Sequence, residues 1–102
     1  MTDDSRLTAP TLHLNGSGYT RLAAQYRHAA DALRVALEAL REMTPHDRDY
    51  YVQGADAGPK ARREHEARIA RVSDVLREIE ALHAQIREQE QERKRGFAKR
   101  FE

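Results

Sequence analysis

Apolar residues recur at three- and four-residue steps over two long segments of this chain and thin out elsewhere. In the first segment Tyr19, Tyr26, Leu33 and Leu40 repeat every seven residues, with Leu22, Ala29, Ala36 and Met43 between them. Ala23, Ala30 and Leu37 widen the stripe beyond a bare coiled-coil seam. The spacing predicts a helix over 17–43. The second stripe is Ala61, His65, Ile69, Val72, Val75, Leu76, Ile79, Leu82, His83 and Ile86, which predicts a helix over 60–92. After Ile86 the run "REQEQERKR" has no apolar residue, so continued helix there would project into water or meet a partner.

Polar positions fill the other faces. Arg27, Asp31, Arg34, Glu38, Arg41 and Glu42 line the far side of the first helix, with Asp31 four residues from Arg27 and Glu38 four from Arg34. Such mixed-sign neighbours solvate a helix face. Glu90 and Lys94 stand in the favourable order to prolong the second helix by a turn or two.

The breaks between the stripes carry turn chemistry. Residues 1–16 read as an extended arm: Pro10 breaks any helix, and Leu12 and Leu14 alternate about His13 to lie on one surface. Asn15-Gly16 then signals a turn, and Ser17 and Thr20 are candidate caps for the first helix. Thr44-Pro45 ends that helix, because the residue before proline avoids helical angles. The loop spans 44–59, and Pro59 fits the first turn of the second helix. Gly96 is expected to end the second helix, leaving a basic tail at 93–102.

The predicted fold is all-α: one domain, an antiparallel helical hairpin with an N-terminal extended arm. Two helices joined once bury only one face each. The stripe of Tyr26, Leu33, Leu37, Leu40, Ile69, Val72, Leu76, Ile79 and Ile86 is wider than one partner helix needs. A homodimer closing a four-helix bundle is the expectation, ahead of a hairpin that docks on a different protein or stands alone.

Composition narrows the class. The chain has 102 residues, 39% hydrophobic and 34% charged, with 6% aromatic, no Trp and no Cys. Neither a disulfide framework nor a thiolate metal site is possible. No apolar run reaches membrane-spanning length, and "MTDDSRLTAP" is unlike a signal peptide, so no membrane partner and a cytoplasmic setting are expected. The net charge is +1, yet the last ten residues hold five bases against one acid.

Within the loop, "HDRDYYVQGADAGP" sets Tyr50 beside Tyr51. One reading packs a ring across the end of the hairpin, its hydroxyl bonded to a loop carbonyl, Asp47 or Asp49. The other makes Arg48, Tyr50, Tyr51 and Gln53 partner-binding anchors, as Tyr and Arg often are. Adjacent extended residues point opposite ways, so one tyrosine is expected inward and one outward. "TLHLNGS" and "RDYYVQG", with their spacing over residues 11–86, resemble a group of small, largely uncharacterised bacteriophage and prophage proteins. That group opens its first helix with Ser or Thr where this chain has Gly18 and Tyr19. The resemblance implies an accessory role in a bacterial host cell, binding and modulating another protein such as a host or defence factor. It brings no catalytic residues.

Catalysis is not expected. His46, Asp47, Asp49 and Tyr50 are types used in acid–base chemistry, but no nucleophile or base oriented by a third group accompanies them. His65 and His83 lie five helical turns apart, too far to share a metal within one chain. They are read as half-buried boundary residues, with no cofactor or metal expected. "NGSG" follows no strand and lacks the lysine of a phosphate loop. The tail offers a second reading: Arg93, Lys94, Arg95, Lys99 and Arg100 interleave with Phe97 and Phe101, as in proteins that bind single-stranded nucleic acid. Docking of the tail on a protein partner and a solvated end with little role are the alternatives.

Overall fold

Two helices carry nearly all of the ordered chain. In a computed structural model, which describes residues 6–100, α1 spans Tyr19–Glu42 and α2 spans Ala57–Arg100. They pack antiparallel, so the expected all-α hairpin is the observed one, and the described residues contain no strand. Between them lie two short 3-10 turns, Asp47–Asp49 and Tyr51–Gln53.

Both ends of α1 follow from local chemistry, though one departs from expectation. Its N-cap is Gly18, in extended conformation, and no side chain caps it; Ser17 and Thr20 do not serve. At the other end Met43 and Thr44 donate their backbone N–H groups to Leu40 and Arg41, and the Thr44 hydroxyl donates to the Arg41 carbonyl at 2.7 Å. Carbonyls that a helix terminus leaves open are thereby filled just before Pro45.

α2 is longer at both ends than its apolar pattern. It begins at Ala57, with Gly58 and Pro59 in its first turn, where a missing proline N–H costs no intrahelical bond. It passes through Gly96, where it was expected to end, and reaches Arg100, so the basic tail is helical as far as the structure describes it. A lone glycine costs a helix only about 1 kcal/mol relative to alanine. Here Lys99 and Arg100 in the last turn offset part of that against the helix dipole. Phe101 lies outside the described residues.

The outcome is a rod of 73 × 24 × 23 Å with a radius of gyration of 20.5 Å, against about 13 Å for a compact domain of this length. A rod of two helices has little interior. Ala30, Leu37, Ala61 and Ile86 are buried, whereas Tyr26, Leu33, Leu40, Ile69, Val72, Leu76 and Ile79 are only half-buried. Val75, assigned to the stripe from its spacing, is exposed. No helix is long and apolar enough to cross a membrane among the described residues.

Gln89 clamps the arm. Gln89 on α2 accepts from the Leu12 backbone N–H at 2.9 Å and donates to the Pro10 carbonyl at 2.7 Å. Its amide thus imitates the paired backbone of a neighbouring strand. Leu12 is half-buried, but Leu14 is 97% exposed, so the two leucines do not share a packed surface as their alternation suggested. The turn that closes on Gly16, with its N–H donated to the His13 carbonyl, swings Leu14 away.

Candidate interaction surface

The closed end of the hairpin is a built loop rather than a slack connection. His46 Nδ1 accepts from the Arg48 backbone N–H at 3.1 Å and caps the first 3-10 turn. The Asp47 carboxylate pairs with Arg62 on α2 and lies directly over Gly58, where a Cβ would overlap it. It also sits beside the first turn of α2, where a negative charge is favoured. Gly54 ends the second turn at φ 118°, a conformation that side-chain-bearing residues rarely adopt.

This frame sorts the loop residues. Tyr50 is half-buried and Tyr51 is 69% exposed, one inward and one outward as expected, though not by strand alternation: Tyr50 joins the two 3-10 turns and Tyr51 opens the second. The Tyr50 hydroxyl makes no hydrogen bond among the described residues; Asp47, its expected partner, is taken by Arg62. Arg48 and Gln53 are exposed. Val52, which the loop pattern did not single out, is 78% exposed, and Met43 at the same end of the rod is 66% exposed. The tip therefore presents apolar side chains on a fixed backbone.

The two flanks of the hairpin differ. Arg34 reaches across from α1 to Glu80 of α2 at 2.8 Å and also holds Asp31 at 2.7 Å. It does so in place of the anticipated Arg27–Asp31 pairing. Two residues along from Arg34 stands Ala36, and two along from Glu80 stands Leu82. Two steps turn a helix by more than half a circle, so both lie on the flank away from the bridge. That second flank carries the seven-residue series Leu22, Ala29, Ala36 and Met43, of which Ala36 and Met43 are exposed. One flank is thus charged and cross-linked, and the other is apolar and only partly covered.

His65 is buried at 3% exposure, not half-buried as its place on the stripe suggested. Its Nε2–H donates to the Leu40 carbonyl at 2.5 Å, so the ring fastens α2 to the last turn of α1. His83 is half-buried, and its pKa lies below the usual value through burial and the nearby charges of Arg87 and Arg27. Among the described residues no three His, Asp or Glu side chains gather into a metal-binding group.

At the open end, Arg93 lines a shallow groove with Leu12 and Tyr19, which sets the start of α1 level with Arg93. From Lys94 onward α2 runs past its partner helix, and every residue from 91 to 100 is exposed. Arg93, Phe97 and Arg100 fall at helical spacing on one side of this overhang, with Phe97 65% exposed. Arg95 and Lys99 point to the other sides. Glu90 pairs with Arg93 at 3.1 Å rather than with Lys94. No protein-family model, curated protein or solved structure matches this chain.

Proposed function

We propose that this chain is a small accessory protein of the phage type that acts without catalysis, by binding and modulating another protein in the cytoplasm of a bacterial host. The observation that carries this reading is the apolar surface left outside the hairpin: Ala36 and Met43 on one flank, Tyr51 and Val52 on the loop tip. The flank supports a homodimer, in which two hairpins close a four-helix bundle over half-wet stripes. The tip, with Arg48, Tyr50, Tyr51 and Gln53, supports a contact with a different protein, because Tyr and Arg are enriched among the residues that carry most of the binding energy at interfaces.

One experiment separates the two surfaces. Ala36→Glu places a charge on the flank, and Tyr51→Ser with Val52→Ser strips the tip. Light scattering should show a dimer, independent of salt, that Ala36→Glu converts to monomer and the tip variant leaves intact. Capture of a host protein should fail for the tip variant while its helix content stays at the parent level. A salt-independent monomer in the parent, or capture unchanged by the tip variant, overturns the corresponding half of the reading.

The overhang favours a second reading. Arg93, Lys94, Arg95, Lys99 and Arg100 form a cationic rod end with an exposed aromatic ring, suited to a nucleic-acid backbone. Removing residues 93–102 should abolish oligonucleotide binding at low salt if this reading holds, and should leave protein capture unchanged if it does not.

A further inference from the structure

On the charged flank, α1 and α2 enclose a groove of about 260 Å³ whose charged lining is Arg27, Asp31 and Arg34 from α1 with Glu80, His83 and Arg87 from α2. Its charges are unequally matched. Arg34 is shared by both carboxylates, bonded to Asp31 and to Glu80, and leaves one negative charge there unmatched. Arg27 and Arg87 have no carboxylate partner among the described residues. They act on the same imidazole from opposite helices, and both oppose its protonation. Three arginines against two carboxylates leave the lining with a net positive charge while the imidazole is neutral. An anion between Arg27 and Arg87 would offset the repulsion that both exert on the imidazolium.

We propose that Arg27, His83 and Arg87 form a binding site for a phosphate group, either free phosphate or the phosphate of a small monoester. The arrangement favours a doubly charged, tetrahedral oxyanion over a carboxylate. Two guanidinium forks approach from separate helices, and a single carboxylate presents one edge, which one fork would satisfy. A phosphate has enough oxygens for both forks and for an imidazole N–H between them. Arg34 holds Asp31 and Glu80 and cancels one of their two charges, so the remaining one weakens binding of the dianion without reversing the positive balance of the lining. The site is independent of the apolar flank and the loop tip, and it stands whether or not either of those binds a protein.

The proposal can be read at the ring itself. The His83 imidazole is followed by NMR across pH, with inorganic phosphate, with a simple alkyl phosphate, and with chloride at matched ionic strength. Phosphate should move the His83 signals saturably and raise its pKa, since a bound dianion reverses the effect of the two arginines. Chloride should do neither. Response to inorganic phosphate but not to the alkyl ester assigns the site to free phosphate; response to both assigns it to the phosphate group generally. Arg27→Gln and Arg87→Gln are exposed substitutions, and each should weaken phosphate roughly tenfold, as loss of a charged hydrogen bond does. Arg48→Gln, in the remote loop, should change nothing. Equal shifts with chloride, or parental affinity in the Arg27→Gln, Arg87→Gln double variant with its helix content intact, overturn the proposal.

Discussion

The His65 ring on α2 donates to the carbonyl of Leu40 in the last turn of α1, closing a helix end with a side chain from its neighbour. Among the described residues it is the one buried polar side chain. His65→Leu should keep the packing volume and lose the bond, lowering stability by about 1 kcal/mol. His65→Gln should recover part of that. Denaturant midpoints of the three proteins give the comparison, and equal values for Leu and His would remove the bond from the account.

Gly58 and Asp47 should be coupled. A methyl group at Gly58 overlaps the Asp47 carboxylate, so Gly58→Ala must swing that group away from Arg62. Alanine also favours helix over glycine by about 1 kcal/mol. Gly58→Ala should therefore stabilise in an Asp47→Ala background and give little or nothing in the parent. A double-mutant cycle measures the difference, and additivity would show that the carboxylate does not need the space.

The arm depends on both functions of the Gln89 amide. Gln89→Ala should release Pro10 to Leu12 and cost about 1–2 kcal/mol, as two neutral hydrogen bonds suggest. Gln89→Glu keeps an acceptor for Leu12 but turns a carboxylate on the Pro10 carbonyl. Hydrogen exchange at the Leu12 amide should accelerate most in the Ala variant, which leaves that N–H no acceptor, and less in the Glu variant, which loses only the bond to Pro10.

Acid should loosen the hairpin through His83. Its folded pKa lies below the ordinary imidazole value of 6.5, so the unfolded chain takes up protons first as pH falls. Stability from the neutral ring is complete above about 6.5 and is lost as pH drops from there toward the folded pKa. Melting temperature measured without phosphate should fall across that window, and the slope should flatten in His83→Gln. A slope unchanged by the substitution would assign the pH dependence to other groups.

The overhang is locally weak and globally irrelevant to the hairpin. No neighbouring atom lies within 4 Å of a Cβ at Gly96. Gly96→Ala should raise helicity by circular dichroism and slow amide exchange over 93–100, leaving the global midpoint unmoved. A shifted midpoint would mean that the overhang packs on something.

What could be read from the sequence was whatever depends on period. Tyr26 to Leu40 and Ile69 to Ile86 announced two helices because their spacing allows no other element. Features set by a single side chain were hidden. Gln89 sits in a run with no apolar residue, and nothing local marks its amide as the clamp for an arm 77 residues away. His65 looked like a boundary residue because the Leu40 carbonyl it reaches becomes its neighbour only after the chain folds back. Gly96 looked like a stop because a glycine weakens a helix, but nothing follows it closely that would end one. The Arg27, His83 and Arg87 grouping draws on both helices, so neither stripe displays it. An inward and an outward tyrosine were expected from strand alternation, but that pair and the exposure of Val52 both come from the 3-10 turns held by His46 and Gly54.

The Gln89 clamp has one more consequence, for how the protein can be mounted. It holds the arm beside the far end of α2, so the two ends of the described chain leave the rod together, while the Tyr51 and Val52 tip stands at the opposite pole. The long dimension is 73 Å. A surface, a label or a second domain attached through either terminus would hold the tip outward at the reach of the whole molecule, and one attached at the loop would mask it.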